Sequence, residues 1–358
     1  MNQITKELIK HKAEHNFNRL IVSIKWVIFS IVVGIVAGLC GTAFYFCLSV
    51  ATDFRMKYPW LLYFLPLGGV AIVFLYHIFK DDNDTGTNLV ISAIHSDDKL
   101  PFQMAPLIFI STLITHLFGG SAGREGAALQ MGGSIGNSIG HVFRFDEKDK
   151  HVMIMCGMSA AFSALFGTPM AAAIFSMEMI SVGVMYYIAL VPCVISSLIA
   201  HGIAVYFNAT NKFFIIDDIP DFTIFNSIKI SILAIFCALV SILLCVALHS
   251  SEWAYKKYFK NRYIRAFVGG CLVIVATLLV GNQTYNGTGI NIIQSSIDGS
   301  VRPEAFILKI IFTALTLGAG YKGGEIVPSF FVGATFGCLF GNIIGFSPSL
   351  CAAVGMTS

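Results

Sequence analysis

One polar string interrupts an otherwise apolar chain: Ser121-Ala122-Gly123-Arg124-Glu125-Gly126. It lies between two apolar runs and is rich in glycine, the pattern of a chain break that leads into a helix. The first N–H groups of such a helix lack intrahelical acceptors, and the helix dipole adds partial positive charge there. Together they form a seat for an anion, and glycine lets an anion approach the backbone closely. Glu125 can place its own carboxylate on that seat, so the string reads as an anion site with a built-in competitor. The plainer reading is that Glu125 caps its helix or pairs with Arg124.

Other strings carry weaker chemistry. Thr85-Gly86-Thr87-Asn88 and Asn286-Gly287-Thr288-Gly289 are polar breaks before short apolar segments. The Thr85 and Thr87 hydroxyls could donate to an anion, or serve as ordinary helix caps. Glu178, between Met177 and Met179, reads as a buried carboxylate that relays protons or as a group at the membrane edge. Gly119-Gly120-Ser121-Ala122-Gly123 fits the G-x-S-x-G string of serine hydrolases, with His116, His141, His151, His201 and His249 as candidate bases. Gly132-Gly133-Ser134-Ile135-Gly136 fits the same string, and no strand is plausible before either. An intramembrane serine hydrolase using Ser121 is therefore the remote alternative. The nine cysteines form no C-x-x-C pair, and no metal site, catalytic set or cofactor is expected.

The elements that hold these strings follow from composition. Of 358 residues, 56% are hydrophobic and 12% charged, and the mean hydropathy is +0.77. A soluble domain carries about twice that charge. The chain is thus expected to be an all-α polytopic membrane protein. A net charge of +3 without a basic stripe excludes nucleic acid as a partner. Apolar segments recur at about 26–50, 61–79, 104–119, 126–143, 152–180, 183–206, 225–250, 264–281, 305–320 and 326–346. Several are shorter than the roughly 20 residues a span needs, so tilted or discontinuous helices are predicted. Inside a bilayer a carboxylate is costly and usually functional, which favours a working role for Glu125. The basic flank Lys6, Lys10, Lys12, Arg19 and Lys25 puts the N-terminus in the cytoplasm, and Lys256, Lys257, Lys260, Arg262 and Arg265 on the same side.

The chain repeats itself. The ten residues from Thr85 match those from Thr288 at five positions, 203 residues apart. Gly123-Arg124-Glu125 aligns with Gly323-Gly324-Glu325 at 200 residues, each followed by a glycine ladder: Gly132, Gly136, Gly140 and Gly333, Gly337, Gly341. Gly157-Met158-Ser159 aligns with Gly355-Met356-Thr357 at 198 residues. Two inverted repeats are expected, 1–206 and 207–358, the second C-terminally incomplete. In that alignment Glu325 is a second carboxylate at the equivalent break.

These residues resemble a known family. Gly123-Arg124-Glu125-Gly126, followed by Gln130-Met131-Gly132-Gly133, is similar to the GREG signature of CLC chloride channels and proton-coupled antiporters. Gly167-Thr168-Pro169-Met170 with Glu178, and Gly323-Gly324-Glu325-Ile326-Val327-Pro328, resemble two further conserved stretches of it. The departures from chloride-type members are Thr85-Gly86-Thr87-Asn88, Gly-Arg-Glu-Gly-Ala in place of GREGP, and Glu325 before Ile326. This combination looks like the bacterial fluoride/proton antiporter branch. The resemblance implies an inverted-repeat fold, homodimers in the cell membrane, and fluoride or chloride exchanged for protons. It implies that Glu125 is the gate and proton carrier. Thr85, Thr87, Gly126, Ala127, Glu325, Ile326 and Val327 would line the anion sites, with Glu178 beside the expected proton relay. A chloride/proton antiporter or a passive chloride channel is the nearer alternative.

Overall fold

The computed structural model describes residues 3–79, 86–95, 100–179, 186–209, 214–216 and 219–358. Among them are fourteen α-helices: α1 Gln3–Lys57, α2 Leu65–Ile78, α3 Thr87–His95, α4 Met104–Leu117, α5 Glu125–Val142, α6 Glu147–Phe166, α7 Pro169–Glu178, α8 Tyr187–Tyr206, α9 Ile224–Tyr258, α10 Arg262–Val280, α11 Ile290–Ile297, α12 Ala305–Gly318, α13 Ile326–Ile344 and α14 Pro348–Thr357. A 3₁₀ turn, Pro59–Phe64, leads into α2. The described residues hold no strand beyond one isolated bridge pair.

Local chemistry sets the boundaries. Gly167 ends α6 in the left-handed region at φ 73°, and Pro169 begins α7 at a position where a missing N–H costs nothing. Asp146 caps α6 by accepting from the Asp149 amide. Among the described residues, six helical stretches are long and apolar enough to cross a bilayer: Ile21–Lys57, Pro59–Ile78, Tyr187–Tyr206, Ile224–Tyr258, Arg262–Val280 and Ile326–Ile344. Helices α4 and α12, at 14 residues each, fall short of the roughly 20 needed. They are the short elements that the apolar runs at 104–119 and 305–320 predict.

The chain forms two compact units, and the division falls inside α1 and α5. The first comprises 1–43, 88–102 and 129–210; the second comprises 44–87, 103–128 and 211–358. Compactness therefore divides the chain differently from its repetition. In the first unit, α6 and α8 are tied by Ser159 and Ser163, whose hydroxyls donate to the carbonyls of Cys193 and Ser197. Lys25 on α1 pairs with Asp149 on α6. In the second unit, the Tyr321 hydroxyl donates to the carbonyls of Leu65 and Ala266, joining α2 to α10.

The repeat is visible as matched elements. Helices α3, α4, α5 and α6 begin 203, 201, 201 and 201 residues before α11, α12, α13 and α14. The glycine ladders do the same work in each half. In the first unit a Cβ at Gly132 would collide with the Gly157 carbonyl, and one at Gly136 with the Met153 carbonyl. In the second, Gly333 lies against the Gly355 carbonyl and Gly337 against the Cys351 carbonyl. The Gly157/Gly355 match in the sequence is thus a backbone-to-backbone helix contact, made twice.

Gly136→Ala and Gly337→Ala are each expected to cost about 1–3 kcal/mol through overpacking. Gly202→Ala is the control: it lies in α8 with nothing within 4 Å of its added Cβ, and is expected to be neutral or to gain about 0.5–1 kcal/mol. Thermal unfolding in detergent measures all three, and equal melting temperatures would refute the ladder as the packing element.

Candidate functional site

The site is built where α5 and α13 begin, within the second unit. Two breaks precede these helices. Each opens with a glycine at positive φ, Gly119 at 86° and Gly320 at 98°, which ends the short helix before it. The breaks then meet. Gly123 N–H donates to the Gly324 carbonyl at 2.6 Å, and Gly324 N–H returns a bond to the Gly123 carbonyl at 2.9 Å. These residues hold the same place in each repeat, so their reciprocal antiparallel bonds require a local twofold axis between them. Two helix N-termini therefore converge at one point.

Around that bridge the breaks are sealed by polar contacts. The Ser121 amide donates to Thr316 Oγ1 at 3.0 Å, and the Ser121 and Thr313 hydroxyls lie 3.1 Å apart. His116 Nε2 lies 3.2 Å from the Gly123 carbonyl; a carbonyl only accepts, so this nitrogen carries the hydrogen. The Arg124 guanidinium lies over the Tyr45 ring, 5.4 Å from its centroid.

Glu125 fills the convergence point and is fully buried. Its Oε2 accepts from the Arg124 amide at 2.7 Å, and its Oε1 from the Val327 amide at 3.1 Å. The amides of Glu125 itself and of Ile326 are also directed at it. The reason is helix geometry. The first i to i−4 bond of α5 runs from Ala128 N–H to the Arg124 carbonyl, so the amides of Glu125, Gly126 and Ala127 have no intrahelical acceptor. In α13 that first bond is Ser329 N–H to Glu325. Pro328 has no N–H, so Ile326 and Val327 are the only free amides there. Charge-assisted bonds of this kind contribute about 1.5–3 kcal/mol each, the same order as the several-kcal/mol cost of burying a carboxylate.

The glycines of both breaks make room for it. A Cβ at Gly123 or at Gly324 would overlap the Glu125 carboxylate, and one at Gly323 would press on Ala122.

Several sequence expectations are corrected. The bridge pairs Gly123 with Gly324, and α5 and α13 start 201 residues apart. The register of 200 is therefore one residue short, and the glycine ladders already held the right spacing. Glu325 is the counterpart of Arg124, and the counterpart of Glu125 is Ile326. Glu325 sits at the N-cap of α13 with no side-chain capping bond, and it is exposed. It is not a second carboxylate on the seat. Glu178 is exposed at the last residue of α7 rather than buried, because the helix ends there. Ser121 pairs with threonine hydroxyls and not with a histidine, and a helix rather than a strand precedes its break. Thr85 lies outside the described residues, while Thr87 opens α3 just after Gly86 at φ 69°. Among the described residues no cluster of three metal-ligating side chains occurs.

Two residues near the site were not singled out from the sequence. Lys309, in the middle of α12, is fully buried. Its ammonium donates to the carbonyls of Gly287 at 2.6 Å and Tyr285 at 3.2 Å. Arg55, in the last turn of α1, is 6% exposed. A lone cation inside the apolar run 305–320 was the available signal for Lys309. Nothing local marks Arg55, which sits among other polar residues where a long helix ends.

Gly324→Ala is expected to expel the Glu125 carboxylate from between the Arg124 and Val327 amides while leaving the helices in place. A crystal structure of the variant with Glu125 still on both amides would refute the steric account of this glycine.

Similarity to known proteins agrees with this geometry. The family described as voltage gated chloride channel matches residues 67–358. A chloride/fluoride channel protein of Pseudomonas syringae pv. tomato is 33% identical over 341 residues, covering 93% of this chain and 75% of the relative. A hydrogen ion/chloride exchange transporter of Vibrio cholerae is 26% identical over 370 residues, covering 91% of this chain and 76% of the relative. The crystal structure of a CLC-type fluoride/proton antiporter superposes with a TM-score of 0.89 at 30% identity, covering 94% of this chain and 85% of that one. A membrane-spanning helical fold, matched repeats with convergent helix starts, and a match over most of the sequence lead to one conclusion: the chain belongs to the voltage gated chloride channel family.

Proposed function

We propose that this protein exchanges fluoride for protons across the cell membrane, with Glu125 as the moving part. The observation that carries the reading is the Glu125 carboxylate held by amides of both repeats. A seat that binds a carboxylate through free N–H groups suits any small anion. Fluoride, compact and a strong hydrogen-bond acceptor, is well matched to it. The ionised carboxylate and the anion compete for the same donors. Protonation removes the charge that holds the side chain, so it leaves and the anion enters. When the anion departs, the carboxylate returns and its proton is released to the other side. Proton and anion occupancy are thereby linked, as coupled exchange requires.

The remaining assignments belong to this reading. Gly126, Ala127, Ile326 and Val327 supply backbone donors, Gly123, Arg124, Gly323, Gly324 and Pro328 shape the seat, and Thr85 and Thr87 are assigned to anion binding from the sequence. Glu325 stays an outer contact at the second break, and Glu178 a candidate relay residue. The repeats are 1–206 and 207–358, two copies form a homodimer, and the basic N-terminal flank faces the cytoplasm. Fluoride is favoured over chloride by the departures at Thr85-Gly86-Thr87-Asn88 and Gly-Arg-Glu-Gly-Ala, and by the relatives named for fluoride. Chloride/proton exchange is the second reading, supported by the relative named for it.

Proteoliposomes containing the protein, read with fluoride, chloride and pH electrodes, test this. Fluoride efflux is expected to exceed chloride efflux by at least about tenfold, or about 1.4 kcal/mol of discrimination, with protons moving in the opposite direction. Glu125→Gln is expected to abolish proton movement, leaving anion flux either independent of pH or stopped. Proton exchange at an unchanged ratio in Glu125→Gln would reduce Glu125 to a helix cap.

A further inference from the structure

Arg55 and Lys309 meet at one glycine of the second unit. Lys309 Nζ donates to the Gly287 carbonyl, and a Cβ added at Gly287 would lie 2.9 Å from Arg55 Nη2. Gly287 can accommodate the guanidinium because it has no side chain, and its φ of 65° lies in the left-handed region. Its amide donates to the Gly120 carbonyl at 3.1 Å, which ties this cationic corner to the break that leads to Glu125.

The corner has positive charge without a resident negative one. Arginine stays ionised at any working pH. Lys309 spends two of its N–H groups on carbonyls, and those are dipoles rather than charges. Among the described residues neither cation has an ion-pair partner. Arg55 Nε is buried with no acceptor. The Glu125 carboxylate of the same unit has its oxygens engaged by the Arg124 and Val327 amides of the seat. A buried guanidinium with an unmet donor next to a buried ammonium is the arrangement that a missing anion completes.

We propose that Arg55, with Lys309 behind it, holds a second halide ion, separate from the Glu125 seat and one loop away from it. This rests on the reading of the protein as a carrier of small anions. An ion waiting there would enter the seat when the protonated Glu125 side chain leaves. In the alternative, Arg55 and Lys309 only satisfy backbone carbonyls and packing at the 285–289 break.

Isothermal titration of the full chain in detergent with sodium fluoride, and separately with sodium chloride, tests the proposal. Arg55→Gln is expected to bind one anion fewer per chain than the unmodified protein. Arg55→Lys is expected to keep that anion at roughly tenfold weaker affinity, since the charge stays and the planar fork is lost. In liposomes Arg55→Gln is expected to raise the anion concentration for half-maximal flux while leaving the proton-to-anion ratio unchanged. An unchanged number of bound anions in Arg55→Gln would overturn the proposal. If that variant does not fold, the unmodified chain decides: with the Glu125 carboxylate on its own seat, as it is in this structure, it must still bind a halide, and no binding overturns the proposal. Binding that ignores Arg55 but responds to Glu125→Gln would remove this site and keep the antiport reading. No halide binding by any variant, Glu125→Gln included, would remove both.

Discussion

A fully buried carboxylate needs donors, and the fold supplies them from the backbone. Two helices must begin at one place with their first amides unspent, and their approach must leave room for the acid. The Gly123–Gly324 bridge does the first by joining the breaks through reciprocal hydrogen bonds. The absence of side chains at the same two residues does the second. Short α4 and α12 accord with this need, because each stops at a break that hands the chain over to a helix start. Positive-φ glycines at 119 and 320 end both at the matching place.

The repeat explains how such a seat arises, and its asymmetry explains why a single acid occupies it. Each half brings a break, a helix start and a glycine ladder. Only the first half brings a side chain that can occupy the seat. The second places Ile326 at the equivalent position, and there Pro328 limits the free donors to two. A symmetric pair of carboxylates would repel one another across the bridge. One acid between two sets of amides has a defined bound position, and under the proposed exchange an anion of like charge would displace it.

The same unequal use of two halves recurs at Lys309. Its counterpart, 201 residues earlier, is Ile108, which is buried and apolar. Lys309 and Arg55 meet at the break at 285–289, where the Tyr285 and Gly287 carbonyls accept from Lys309 and Gly287 makes room for Arg55. In the proposed second site, fixed positive charge would raise the local anion concentration.

Sequence alone was enough to establish the membrane class, the order of the apolar segments and the existence of the repeat, because each depends on composition and spacing along the chain. It also singled out Glu125, since a lone acid in a glycine-rich break has few uses in a bilayer. It misplaced Glu325 by one residue: identity of letters favoured Glu on Glu, whereas the backbone pairs Gly123 with Gly324, and only hydrogen bonding across the bridge sets that register. Glu178 reads equally as a buried relay or as a group at the membrane edge from its apolar neighbours, and only the structure shows it exposed at the last residue of α7. Arg55 and Lys309 lie 254 residues apart in sequence, and no local pattern announces that one glycine brings them together. Periodicity along the chain decides which segments are helices and which face is apolar. Which side chain meets which amide depends on the approach of segments distant in sequence, and only the tertiary structure decides that.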